Sequence, residues 1–179
     1  NAMHLIPYPQ FINRKPGRFE WTPACPLVVD SHELPTILAA SLRLADLIQQ
    51  QMGFRPVFSG TTRIEGPAVT LSVEHGANPE AYRLVIGQSG VSVTGQGEAG
   101  LFYGIQSLFQ VIRNHGAILP HMEVKDQPDF PARGFYHDVT RGKVPTLETL
   151  MDLAEKMAHY KLNQLQLYVE HSFAFAGLS

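Results

Sequence analysis

A chain of 179 residues, 44% hydrophobic and 17% charged, has the composition of an ordinary globular protein of one or two domains. A chain of this size can bury about 70% of its unfolded surface. The formal net charge is −2 and the basic residues are scattered, so the clustered positive face that selects nucleic acid or an anionic membrane is missing and neither partner is expected. Cys25 is the one cysteine, which rules out an internal disulfide and a cysteine-rich zinc site. No run approaches the ~20 apolar residues needed to span a bilayer. Asn1 and Ala2 ahead of Met3 read as the remnant of a cleaved expression tag, and the HLIPYPQF that follows has neither a basic n-region nor an apolar h-region. A soluble, cytoplasmic protein is the expectation.

In chain order, residues 4–30 are short apolar pieces broken by Pro7, Pro9, Pro16 and Gly17, with PLVVD at 26–30 the clearest strand. Residues 34–52 carry apolar side chains at Leu38, Leu42, Ala45, Ile48 and Met52. That spacing predicts a helix, with Pro35 suited to its first turn and Gly53 to its end. Strands are expected over about 57–64, 68–73, 81–86 and 90–94, and the Gly-Gln-Ser-Gly segment at 87–90 reads as a tight hairpin. A second helix follows over about 97–114, with a stripe of Leu101, Ile105, Leu108, Phe109 and Ile112, and Gly116 ends it. Gly100 and Gly104, one turn apart, would let that helix lie close to the sheet. A run of strands with a helix on either side predicts an α+β domain over residues 4–125, built on a mainly antiparallel sheet with two helices.

Within it, Gly95 to Gly100 spells GQGEAG, a literal G-x-G-x-x-G. The context is wrong for a dinucleotide site. The preceding strand is the second arm of a hairpin, Glu98 would sit where pyrophosphate should, and the next acid, Glu123, lies beyond the ~20 residues expected for a ribose ligand. Glycines serving close helix packing are the expected explanation.

The proline- and charge-rich residues 126–132 read as a linker. From Arg133 the pattern becomes strand, loop, helix, strand. The helix, over about 146–160, has Thr146 as N-cap and an apolar face of Leu147, Leu150, Met151, Ala154, Met157 and Ala158. Asp138 and Arg141 fall just past the first strand, and Glu170 and His171 just past the second. A parallel α/β barrel places its site residues there, but such a barrel needs roughly 250 residues. Residues 133–179 are therefore expected to be the first βαβ unit of a truncated TIM (β/α)8 barrel, the start of an enzyme. Leu165, Leu167 and Val169 alternate on a strand without its downstream neighbour, so self-association through this exposed C-terminal strand is expected. No metal-ligand spacing appears among the histidines, and no metal or other cofactor is expected. His137 should face away from Asp138 along the strand and pack.

Two segments together carry a family resemblance. GQGEAGLFYGIQSLFQVI, residues 95–112, resembles the last helix of the small domain that precedes the barrel in family 20 glycoside hydrolases. Arg133-Gly134, Asp138, Arg141 and Lys161-Leu162-Asn163 resemble, in order, the opening of their catalytic barrel. The resemblance implies β-N-acetylhexosaminidase chemistry in the parent enzyme. There the 2-acetamido oxygen of the substrate attacks the anomeric carbon, and an adjacent Asp-Glu pair stabilises the acetamido group and supplies the general acid/base. This chain contains no adjacent Asp-Glu, so that pair is expected downstream and the chain alone should be inactive. Arg141 matches the family arginine that grips hydroxyls of the terminal sugar, with Asp138 orienting it. Many members continue with His-Trp-His and paired aspartates. Here Gln166-Leu167-Tyr168 and then Glu170-His171 stand instead, so Glu170 and His171 are expected to line the same rim. The substrate class is then a terminal N-acetylhexosaminide. The alternatives are a non-catalytic carbohydrate-binding or scaffold module, or another glycosidase with the same domain pairing, such as an α-glucuronidase or a hyaluronidase-like hexosaminidase. Asp138 and Glu170 acting as a carboxylate pair themselves is a lesser alternative.

Overall fold

A computed structural model describes residues 5–30, 35–60 and 64–170. The chain divides into two compact units, Asn1–Asp129 and Phe130–Ser179.

The first unit contains, in order, β1 (Phe11–Glu20), β2 (Leu27–Val29), α1 (Pro35–Met52), β3 (Phe58–Ser59), β4 (Ala68–Val73), β5 (Tyr82–Gly87), β6 (Gly90–Gly95), α2 (Glu98–His115) and β7 (Ile118–Asp126). Its strands form one seven-stranded sheet in the order β1-β7-β5-β6-β4-β2-β3. The sheet is mixed, not mainly antiparallel. β1, β7, β5 and β6 join antiparallel, whereas β6, β4, β2 and β3 join parallel. The parallel half follows from the connections. Helix α1 is the crossover that returns the chain to run β3 alongside β2 in the same direction, and parallel neighbours need such a crossover. The hairpin at β5 and β6 closes with Gly87 opposite Gly90 and slots β6 against β4. Gly90 has φ +119, a region that suits glycine.

Two strands have no clear local signature, β1 and β7. In β1 the register jumps from Arg14 opposite Met122 to Arg18 opposite Pro120, so Lys15, Pro16 and Gly17 bulge out opposite His121. Pro16 sits in the bulge, where its missing N–H costs no ladder bond, and the strand survives it. Asp126 lies in β7 opposite Tyr82, inside the sheet. Its carboxylate also accepts from the buried Tyr82 hydroxyl at 3.1 Å.

Alternate residues of the strands point into one hydrophobic core shared with both helices: Leu27, Val69, Leu71, Leu84, Ile86, Val93 and Val124 from the sheet, Leu44 and Ile48 from α1, Leu101, Ile105, Leu108 and Ile112 from α2. The stripe of α2 matches the predicted one. That of α1 matches only in part: Ala45 and Ile48 are buried as expected, but Ile37, Ser41 and Leu44 complete the buried face, while Leu38 and Leu42 are each 42% exposed. Ser41 is tolerated in the core because its hydroxyl donates to Ile37 O at 2.7 Å.

The glycine motif serves packing. A Cβ on Gly100 would lie 2.1 Å from Ala81 O, and one on Gly104 would lie 2.5 Å from Val93 Cγ1. Gly97 caps α2 without a side-chain bond, and Gly100 N–H donates to Pro79 O at 2.9 Å. The loop backbone thus satisfies a helix-terminal donor, and glycine is what admits it so close.

The second unit is β8 (Gly134–Asp138), α3 (Leu147–His159) and β9 (Gln164–Tyr168), with the two strands parallel and in register from Gly134 opposite Gln164 to Asp138 opposite Tyr168. Thr146 caps α3, accepting from Thr149 N at 3.2 Å. Of the expected apolar face of α3 only Met157 is buried, with Leu147 74% and Met151 61% exposed. Two five-residue strands offer too little surface to cover a helix of four turns.

Candidate functional site

The two ends of this βαβ unit do different work. At the start of the strands, Arg133 and Asn163 form a clamp. Arg133 O accepts from Asn163 N and Gln164 N at 2.7 and 3.0 Å, and Asn163 Oδ1 accepts from Arg133 N at 2.9 Å. Arg133 Nε donates to Lys161 O at 3.0 Å, and Asn163 Nδ2 to Pro131 O at 2.8 Å. Lys161, at φ +62, turns the chain sharply out of α3 so that its carbonyl meets Arg133. Residues 133 and 161–163 therefore build the unit and face no ligand through these atoms.

The opposite strand ends carry the charge. Asp138, the last residue of β8, accepts at Oδ1 from Thr140 N at 2.9 Å and Arg141 N at 3.0 Å, and at Oδ2 from Arg141 Nε at 2.7 Å. The backbone N–H of Thr140, then that of Arg141, then the guanidinium, hold its carboxyl down at about 2. Asp138 is thus ionised and committed to shaping the loop and fixing Arg141. Glu170 Oε2 lies 3.5 Å from the same Nε. The Arg141 guanidinium also rests over the Tyr168 ring, 5.1 Å from its centroid. Both ion pairs run through Nε, so the two terminal nitrogens, with four N–H donors, have no acceptor among the described residues.

Sequence reasoning missed three residues here. Tyr168 supplies the platform under Arg141, and Tyr136 lies beside it, with ring centroids 5.9 Å apart. Tyr136, Asp138 and Tyr168 share one face of the two strands because register partners and alternate residues do. Desolvation, then Tyr168 and Asp138, push the Tyr136 phenol upward, so it remains a neutral donor. Thr140 is the third; its hydroxyl bridges the two strand ends. The alternation of aromatic and acidic residues at 136, 138 and 168 was the available signal. His137 stacks on Phe135 on the other face, with centroids 5.9 Å apart. His171 lies outside the described residues. No group of three or more His, Cys, Asp or Glu side chains among the described residues could hold a metal ion. No helix among them is long and apolar enough to cross a membrane.

A guanidinium fork held by Asp138, with two carboxylates and two aromatic faces at adjacent parallel strand ends, is an arrangement chemically able to bind a polar ligand. The chain belongs to glycoside hydrolase family 20: residues 2–127 match the family's domain 2. It is 34% identical over 172 residues to a beta-N-acetylhexosaminidase of Cellulomonas fimi, covering 92% of this chain and 34% of the relative. A beta-hexosaminidase of Porphyromonas gingivalis is 30% identical, with 97% of this chain and 23% of the relative aligned. Among solved structures, a Streptomyces plicatus beta-hexosaminidase mutant in complex with its product GlcNAc superposes with a TM-score of 0.75 at 25% identity, over 92% of this chain and 34% of that one. The chain thus spans about a third or less of the length of these relatives.

Proposed function

We propose that residues 133–179 are the opening βαβ unit of a TIM (β/α)8 barrel and that the whole protein hydrolyses terminal N-acetylhexosamine residues by substrate-assisted, retaining catalysis. The relatives' names support the activity, and the parallel pairing of β8 and β9 supports the barrel. In this reading the attacking group is the substrate's own acetamido oxygen, and the Asp-Glu pair that assists it belongs to downstream polypeptide. This chain contributes recognition. Arg141 donates to vicinal hydroxyls of the non-reducing sugar, Asp138 holds the fork in place, and Glu170 lines the rim as an acceptor. The aromatic rings of Tyr136 and Tyr168 offer apolar faces to the sugar's C–H surface.

The observation that carries this is the guanidinium anchored through Nε with both terminal nitrogens presented outward. The test is Arg141→Met in the whole protein, assayed on an aryl N-acetyl-β-glucosaminide. Loss of two charge-assisted hydrogen bonds should lower kcat/KM about a hundredfold. Unchanged kcat/KM would remove Arg141 from the substrate site. Turnover of a glucuronide in preference to the N-acetylglucosaminide would overturn the assigned substrate class.

A further inference from the structure

The backbone ladder between β8 and β9 ends where Val139 N donates to Tyr168 O at 3.1 Å. One more rung lies beyond it, made by a side chain. Thr140 Oγ1 donates to the same Tyr168 O at 3.3 Å and accepts from Glu170 N at 2.9 Å. A hydroxyl has one proton to give and can accept as well, so this one is used in both directions. Thr140 N is meanwhile held by Asp138 Oδ1. Residue 140 is therefore tied at its backbone to the carboxylate on one flank of Arg141, and at its side chain to the residue carrying the carboxylate on the other flank.

We infer that Thr140 is a positioning residue, whose hydroxyl extends the strand pairing by one rung and so sets the Glu170 carboxylate beside Arg141. Valine could fill the same space and would favour the same backbone, but it would leave Glu170 N–H without this acceptor. The inference rests on the reading of Arg141 and Glu170 as sugar contacts.

The experiment uses the whole protein with an aryl N-acetyl-β-glucosaminide as probe. Thr140→Val should raise KM about tenfold with kcat nearly unchanged, as expected for losing one or two net hydrogen bonds. Thr140→Ser should stay within about twofold of the parent, because the hydroxyl is kept. In a Glu170→Ala background, Thr140→Val should add less than about twofold, since the group it positions is gone. Thr140→Ala removes the same bonds and must repeat the result if the valine variant folds poorly. A tenfold effect that persists in the Glu170→Ala background would show that Thr140 acts on the fold and overturn the inference. So would a serine variant as impaired as the valine one, or an unimpaired valine variant beside an impaired Glu170→Ala. If Arg141→Met and Glu170→Ala both leave kcat/KM unchanged, the site itself is misassigned, and the inference falls with it.

Discussion

Gly100→Ala offers a test in which the sign of the effect is informative. In an exposed helix the exchange stabilises, by about 1 kcal/mol, because alanine has the higher helix propensity. In α2 the new Cβ would meet Ala81 O at 2.1 Å, Ala81 C at 2.9 Å and Pro79 O at 3.0 Å. All three are backbone atoms, which cannot rotate aside as a side-chain end can. Relief requires the 79–81 backbone to retreat, and that weakens the 2.9 Å bond from Gly100 N–H to Pro79 O and the 2.8 Å bond from Gln96 N–H to Ala81 O. Overpacking costs about 1–3 kcal/mol, and each weakened hydrogen bond about 1 kcal/mol. Set against the propensity gain, the net change is a loss of about 2–4 kcal/mol. For a unit of this size that corresponds to a fall in Tm of about 6–12 °C, at roughly 3 °C per kcal/mol. Thermal melting by circular dichroism measures it, with Gly104→Ala as a milder comparison because its Cβ meets side chains, Val93 and Tyr82. A Tm equal to or above that of the parent would refute the close-packing account of this motif and reopen the question of what the glycines do.

Asp138 should titrate near 2, far below its usual 3.8. Its folded-state pKa is depressed, so its hold on the loop is complete above the ordinary value and fades as pH falls toward 2. Carboxyl chemical shifts followed through an acid titration would show this, and a midpoint near 3.8 would contradict the hydrogen bonds to Thr140 and Arg141. The apolar side chains of β9 and Val169 are substantially exposed, Leu165 at 36% and Leu167 and Val169 at 43% each. The isolated chain should therefore associate as its concentration rises, and Leu167→Lys should reverse that in sedimentation equilibrium. A parent chain that stays monomeric at high concentration with residues 164–169 well protected from hydrogen exchange would count against it.

How much of this was legible beforehand depended on the range of the interaction. Helix α2 and the hairpin of β5 and β6 are local, and periodicity and turn glycines announced both. Helix α1 was legible as a helix but not in its rotation. Ile37, Leu38, Leu42, Leu44, Leu47 and Ile48 surround most of its axis, so several stripes fit and packing chose the one through Ile37 and Leu44. β1 pairs with a strand 98 to 114 residues away, and its Pro16-Gly17 bulge disguised it as a loop. At the site, Asp138 and Arg141 are three residues apart and could be paired on paper. Thr140 and Tyr168 act through partners 27 to 30 residues distant, so their roles depend on contacts that no local window contains.

Local order alone determined the helices, the tight turn, the glycine contact surface and the charged residues at the strand ends, because each depends on side chains within one or two turns of one another. Tertiary structure decided the mixed direction of the sheet, which face of α1 is buried and which groups surround Arg141. Those choices are made by hydrogen bonds and packing between segments that meet only once the chain has folded, and no short window of residues contains both partners.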